Sequence, residues 1–175
     1  KPTDQIWGDP VFEDALVRFW SSFSKRFSET DDVFFAYDLL NEPSPPQYVK
    51  GRDRCSYLEA LYGRIIAAIR ENDPSRLLVV QFPMALGPTG KSTNQMDGAR
   101  CFANAKWDNV AYSFHMYDPG QFTHQGVAGF PYPISLYKKD GRDSVVKYLR
   151  KRLDVVRAWQ DRNGSPVFVG EFGAS

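Results

Sequence analysis

Cysteine is scarce in this chain of 175 residues: there are two, Cys55 and Cys101, with no CxxC or Cys/His spacing around them. That excludes a cysteine-built metal or redox centre and leaves either a structural thiol or a single disulfide. Charge of one sign is missing too. Lys and Arg total 22 against 21 Asp and Glu, a net charge of +1, and the charges are scattered, so no basic stripe exists for nucleic acid or an anionic membrane surface. No apolar run approaches the roughly 20 residues of a membrane span. Lys1-Pro2-Thr3 opens no apolar region of the signal-peptide kind. What the chain does have is 42% hydrophobic and 15% aromatic residues, enough to bury a sizeable core in one soluble globular domain. A near-neutral surface suits an uncharged ligand such as a sugar.

The pattern of apolar residues alternates between helix and strand. Asp9-Pro10 is a helix start, with Asp as N-cap and Pro at the first helical position, and Leu16, Phe19, Trp20, Phe23 and Phe27 follow at helical spacing. Val33-Phe34-Phe35-Ala36-Tyr37 reads as a strand buried on both faces, ended by Asn41-Glu42-Pro43. A loop rich in proline and charge leads to a second helix with Leu58, Leu61, Tyr62, Ile65, Ile66 and Ile69 on one face, which stops at Asn72-Asp73-Pro74. Leu77–Phe82 and Val110–His115 are further strands, and the Gly/Pro/Thr/Asn stretch after Phe82 reads as loop to about Gly98. A long aromatic loop precedes a helix from Ser144 with Val145, Leu149, Leu153, Val156 and Trp159 inward. Asn163-Gly164 closes it before a last strand, Val167-Phe168-Val169.

Strands separated by crossover connections are parallel, which makes the fold α/β. The spacing of the strand ends, near residues 40, 82, 115 and 170, matches (β/α)-barrel units of about 31 residues with grown loops. A complete barrel of this kind takes roughly 250 residues. The expectation is therefore a partial (β/α)₈ barrel, with residues 1–175 a single fragment lacking strands before Lys1 and after Ser175. An open α/β sheet of four or five strands is the competing arrangement.

In parallel sheets, ligands and catalysis collect at the carboxyl ends of the strands, and two glutamates sit at such ends, Glu42 and Glu171. Two strand-end carboxyls are the equipment of an acid and a nucleophile for glycosidic bond cleavage. The motifs Asn41-Glu42-Pro43, His115-x-Tyr117 and Gly170-Glu171-Phe172-Gly173, each after a strand, resemble the glycoside hydrolase family 5 cellulases, within the clan of retaining (β/α)₈ glycosidases. Phe122-Thr123-His124-Gln125-Gly126 is similar to a stretch in bacterial-type members. The resemblance runs from Trp7 to the end.

It implies a role for each matching residue: Glu42 the acid/base, Glu171 the nucleophile, Asn41 a hydrogen-bond partner of the sugar 2-hydroxyl, and His115 with Tyr117 the pair orienting the carboxylates. It further implies endo-hydrolysis of β-1,4-glucan by double displacement, no metal or cofactor, a polysaccharide or oligosaccharide as the partner, a monomer, and secretion. Related activities on mannan, xylan or β-1,3-glucan stay open, as does an inactive truncated chain. The family's arginine and histidine on earlier strands, and its tryptophan after the last strand, have no counterparts in this sequence.

Each residue also has a plainer reading. A strand-end Glu is commonly a solvated loop charge, His115 a satisfied core histidine, Tyr117 a packing residue. Asp38, inside the strand, reads as buried and structural, paired with an arginine. Trp7 and Phe122 are assigned to the sugar cleft, with Tyr132 and Tyr137 as walls, and Trp20, Trp107 and Trp159 to packing. Gly87-Pro88-Thr89-Gly90-Lys91-Ser92 imitates a phosphate-binding loop, the basis of a nucleotide-binding alternative. Ala85 stands where the loop requires its first glycine, and no amphipathic helix follows Ser92.

Overall fold

The computed structural model describes residues 6–30, 34–86, 94–123 and 141–173. Helix α1 (Pro10–Phe27) starts where the sequence places it: the Asp9 carboxylate accepts the Val11 N–H at 2.9 Å and Pro10 occupies the first turn. Strand β1 (Ala36–Asp38) follows, then a small antiparallel hairpin of β2 (Tyr48–Val49) and β3 (Arg52–Asp53) that the proline-rich loop gave no hint of. Its two turn residues, Lys50 and Gly51, both have positive φ, the backbone that a two-residue hairpin turn of the primed type requires. Asp53 then caps helix α2 (Arg54–Arg70) through the N–H groups of Cys55 and Ser56. Strand β4 (Leu77–Gln81), a 3₁₀ segment (Met96–Phe102), strand β5 (Val110–Met116), the short helix α3 (Gly120–Thr123), helix α4 (Gly141–Asn163) and strand β6 (Val167–Phe172) complete the order. The 3₁₀ segment lies partly in the stretch expected to be loop.

The four main strands form one parallel sheet in the order β1-β4-β5-β6, each flanked by helices in a (β/α) half-barrel. The expected fold class is the observed one. One sheet face packs against the helices. Leu78, Val80 and Phe82 of β4 and its extension, with Val110, Tyr112 and Phe114 of β5, meet the buried stripe of α2, the 3₁₀ residues Met96 and Phe102, and Trp159 of α4. The alternate residues, Asp38, Gln81, Ser113 and His115, face the other side, the interior of the barrel curve.

Three packing expectations need correction. Phe35 is 82% exposed and β6 is exposed along most of its length, because among the described residues no layer covers the inner face or the two edges of the four-stranded sheet. Phe19 and Leu153, read as inward, are exposed: on α1 the buried positions are Trp20 and Ser24, and on α4 the inward stripe runs through Val145, Val156 and Trp159. Trp20, Trp107 and Trp159 pack in or against the core as expected. Val33, Tyr132, Tyr137, His124 and the Gly87–Ser92 segment lie outside the described residues.

Two cross-links fasten the layers. Cys55 at the start of α2 and Cys101 in the 3₁₀ segment form a disulfide, resolving the open choice. At the opposite end, Arg76 and Asp73 make a fully buried ion pair at 2.9 Å, the Tyr37 hydroxyl donates to the same Asp73 oxygen at 2.9 Å, and the guanidinium also donates to the carbonyls of Phe27, Ser28 and Phe34. One arginine thus ties the end of α1, the approach to β1 and the α2–β4 turn together. Tyr37 is held above its ordinary pKa, first by burial and then by its bond to Asp73.

Candidate active site

The carboxyl ends of β1, β4, β5 and β6 surround a cleft of about 420 Å³ lined by Glu42, Met84, Asn94, Gln95, His115, Tyr117, Asp118, Gly120 and Glu171. At its centre is the His115 imidazole, whose side chain is 3% exposed. Its Nδ1 lies 2.8 Å from Glu42 Oε1 and 3.2 Å from Glu171 Oε2, while the two carboxylates are 39% and 46% exposed toward the cleft. The contact to Glu42 is a hydrogen bond between Nδ1 and the carboxyl oxygen, with the donor set by the imidazole tautomer. The Tyr117 hydroxyl donates to Glu171 Oε2 at 3.0 Å. That bond, then desolvation, then the charges of Glu171 and Glu42 raise the phenol above its ordinary pKa, so it stays protonated as a donor.

Local backbone explains how these groups meet. His115 and Glu171 are lateral partners across β5 and β6, but the register steps from Phe114 opposite Val169 to His115 opposite Glu171, leaving Gly170 as an extra residue. Strand alternation would otherwise send Glu171 to the helix side. The bulge turns it inward beside His115. Only glycine fits at the extra position, because a Cβ there would stand 2.5 Å from Ser113 Oγ and 3.3 Å from two atoms of the His115 ring. Glu42, four residues beyond β1, has φ +44, a left-handed conformation that costs a non-glycine residue on the order of 1 kcal/mol or more. Its N–H donates to Gln81 Oε1 at 2.8 Å.

Of the residues expected in the site, Glu42, Glu171, His115 and Tyr117 come together. Asn41 is exposed, one residue before Glu42, and does not line the cleft. Trp7 packs edge-on against Tyr57 at 6.3 Å, in contact with the core instead of the cleft, because the start of α2 offers it an aromatic partner there. Phe122 falls in α3, and its side chain lies outside the described residues. Asp38 is neither buried nor paired with an arginine. It stands exposed on the inner face and accepts from Gln81 Nε2 at 2.7 Å. Its pKa is raised, chiefly by desolvation of the carboxyl among the strand ends and also by the charge of Glu171, with the Gln81 bond and nearby His115 opposing.

Gln81 and Gln95 were not anticipated as site residues, although a glutamine on the inward register of an otherwise apolar β4 was a legible signal. Asp118, at the cleft edge, is braced from α4 by the Tyr148 hydroxyl at 3.0 Å and by Arg152 at 3.5 Å. Among the described residues, Glu42, His115 and Glu171 are a set with metal-ligand atoms, all within 4.8 Å of one another. A cation there would compete with the hydrogen bond between His115 Nδ1 and Glu42 Oε1.

This sheet and this cleft define a (β/α)-barrel protein with its polar site at the carboxyl ends of the strands. The chain belongs to the cellulase family, glycosyl hydrolase family 5, whose profile matches residues 8–175. It is similar to a protein named beta-xylosidase from Phanerodontia chrysosporium, 29% identical over 97% of this chain and 30% of that protein. It is also similar to endoglucanase H from Acetivibrio thermocellus, 27% identical over 91% of this chain and 15% of that one. Among solved structures, a hyperthermophilic endo-beta-1,4-glucanase in complex with substrate superposes with a TM-score of 0.73 at 27% identity, over 98% of this chain and 51% of that one. The clostridial cellulose synthase subunit Z from Clostridioides difficile gives 0.73 at 25% identity, over 97% and 52%. The chain therefore spans about half the length of these structures and less of the curated relatives.

Proposed function

We propose that this chain carries the acid/base and the nucleophile of a retaining glycoside hydrolase that cuts within β-1,4-linked glucan. The observation that carries the reading is the sharing of one buried imidazole nitrogen by two cleft-facing carboxylates, with the three ligating atoms inside 4.8 Å. Retention by double displacement requires carboxyls about 5–5.5 Å apart, whereas inversion needs about 6.5–9.5 Å to admit a water between them. The close approach favours retention.

In this reading Glu171 attacks the anomeric carbon and forms a glycosyl ester as the C–O bond to the leaving group breaks, and Glu42 gives that departing oxygen its proton. Glu42, now a carboxylate, then takes a proton from water, whose oxygen attacks the same carbon and releases Glu171. Tyr117 holds Glu171 Oε2 and leaves Oε1 free to attack. His115 keeps both carboxylates facing the same point. The endo-β-1,4-glucan assignment is supported by the similarity to endoglucanase H and to the endo-beta-1,4-glucanase solved with substrate. The beta-xylosidase relative at 29% identity favours one second reading, cleavage of β-xylosides by the same chemistry. The open edges β1 and β6 support the further reading that the remaining barrel strands belong to a longer protein.

The test is turnover of aryl β-cellobiosides and β-xylosides with good and poor leaving groups. Glu171→Gln abolishes turnover of all of them. Glu42→Gln spares the good leaving groups, which need no proton. Equal losses on both classes reject the acid/base assignment.

A further inference from the structure

Beneath the carboxylates lies a polar layer to which the double displacement assigns no part. Gln81 and Gln95 are 2% and 0% exposed. Their amide orientations follow from partner chemistry. Gln81 Nε2 faces the Asp38 carboxylate at 2.7 Å, which fixes Oε1 toward the Glu42 N–H at 2.8 Å. Gln95 Nε2 faces the Phe82 carbonyl at 2.7 Å and Gln81 Oε1 at 3.4 Å, which fixes its own Oε1 toward the His115 N–H. The backbone amides of Glu42 and His115 are therefore anchored to one pair of touching glutamines, while their side chains meet at 2.8 Å above.

From this arrangement we infer that Gln81 and Gln95 are positioning residues that set the Glu42–His115 contact; the inference rests on Glu42 being the acid/base. The Glu42 N–H sits in a left-handed turn beyond the end of β1. Gln81 supplies the acceptor that holds that N–H inward, and so directs the carboxyl to Nδ1. Gln95 anchors the other partner from the loop after β4. A pair serving the core alone would be filled as well by apolar side chains of the same length. These two direct both amide oxygens to the backbone of the two site residues.

Methionine keeps the length and removes the amide, so the variants are Gln81→Met and Gln95→Met, with Gln81→Glu combined with Asp38→Asn as the rescue. That exchange reverses the bond between the two side chains but keeps an oxygen acceptor for the Glu42 N–H. The readouts are amide exchange at Glu42 and His115 and the imidazole resonances. With two histidines in the chain, a His124→Gln variant assigns them. The expected result is exchange at the Glu42 amide at least 10-fold faster in Gln81→Met, a displaced His115 imidazole resonance in both methionine variants, and both properties restored by the exchanged pair.

In turnover, the methionine variants should lose kcat by roughly 10²-fold on poor leaving groups with KM nearly unchanged, the scale of a misplaced catalytic group. Folded methionine variants with parental Glu42 exchange and an unmoved His115 resonance overturn the inference. Should a methionine variant not fold, the exchanged pair decides: an unprotected Glu42 amide in it overturns the proposal. Absence of turnover in the parent chain would instead count against the proposed function, and the resonance and exchange data would still judge the glutamines.

Discussion

Gly170→Ala tests whether the bulge in β6 builds the site. The added Cβ would stand 2.5 Å from Ser113 Oγ, about 0.9 Å inside the 3.4 Å at which ordinary contact begins. Ser113 is fully buried on the neighbouring strand, so the strain must be relieved by a shift of β6 or of the serine. Overpacking of this kind costs about 1–3 kcal/mol. The free edge of β6 places the expectation toward the lower end. Among the described residues Ser113 Oγ has no hydrogen-bond partner, so Ser113→Ala removes the obstructing atom without orphaning another of them. The pair Gly170→Ala with Ser113→Ala should therefore regain most of the lost stability in urea unfolding followed by tryptophan fluorescence. The two His115 ring atoms at 3.3 Å remain crowded, so the imidazole resonance stays displaced in the double variant. Stability and site geometry are thereby separated. A Gly170→Ala protein as stable as the parent to within about 0.5 kcal/mol, with an unmoved His115 resonance, would refute the steric argument.

Asp73→Asn breaks the buried ion pair with Arg76 and should cost about 3–5 kcal/mol in urea unfolding; a loss below about 1 kcal/mol would mean that the other partners of Arg76, the Phe27, Ser28 and Phe34 carbonyls among them, satisfy the guanidinium. Reduction of Cys55–Cys101, which are separated by 46 residues, removes a loop constraint on the unfolded chain and should lower stability by about 4 kcal/mol on a chain-entropy account, as measured by unfolding with and without reductant. Asp38 has a raised pKa in the folded state, so the folded protein holds the proton more firmly, and the cost of the charged carboxyl is present above that pKa. Asp38→Asn keeps an acceptor for Gln81 and should be at least as stable as the parent at neutral pH. The difference should shrink as pH falls from the folded pKa toward 3.8, and the opposite slope of stability against pH would contradict the assignment of desolvation as the main cause.

The amino-acid sequence by itself determined the order of the main elements, because hydrophobic period, caps and breakers act over neighbouring residues: Asp9-Pro10 starts a helix, and Asn72-Asp73-Pro74 stops one, in any context. It also marked Glu42, His115, Tyr117 and Glu171, because each stands after an apolar strand within a motif that resembles the family's and the motifs occur together in order. Only the tertiary structure decided which of the marked residues meet. Trp7 carries the same aromatic ring wherever it lies, and its contact with Tyr57 depends on how α1 and α2 pack. The inward turn of Glu171 depends on a one-residue register step against β5, which the Val167–Phe172 pattern does not encode alone. The exposure of Phe35 and β6 depends on how many strands cover the sheet. The Gln81–Gln95 layer joins residues on a strand and on a loop, and a hydrogen bond between side chains 14 positions apart has no periodic signature to read. Propensity is local and legible along a chain, whereas partnership is set by long-range register and packing that arise when the sheet forms.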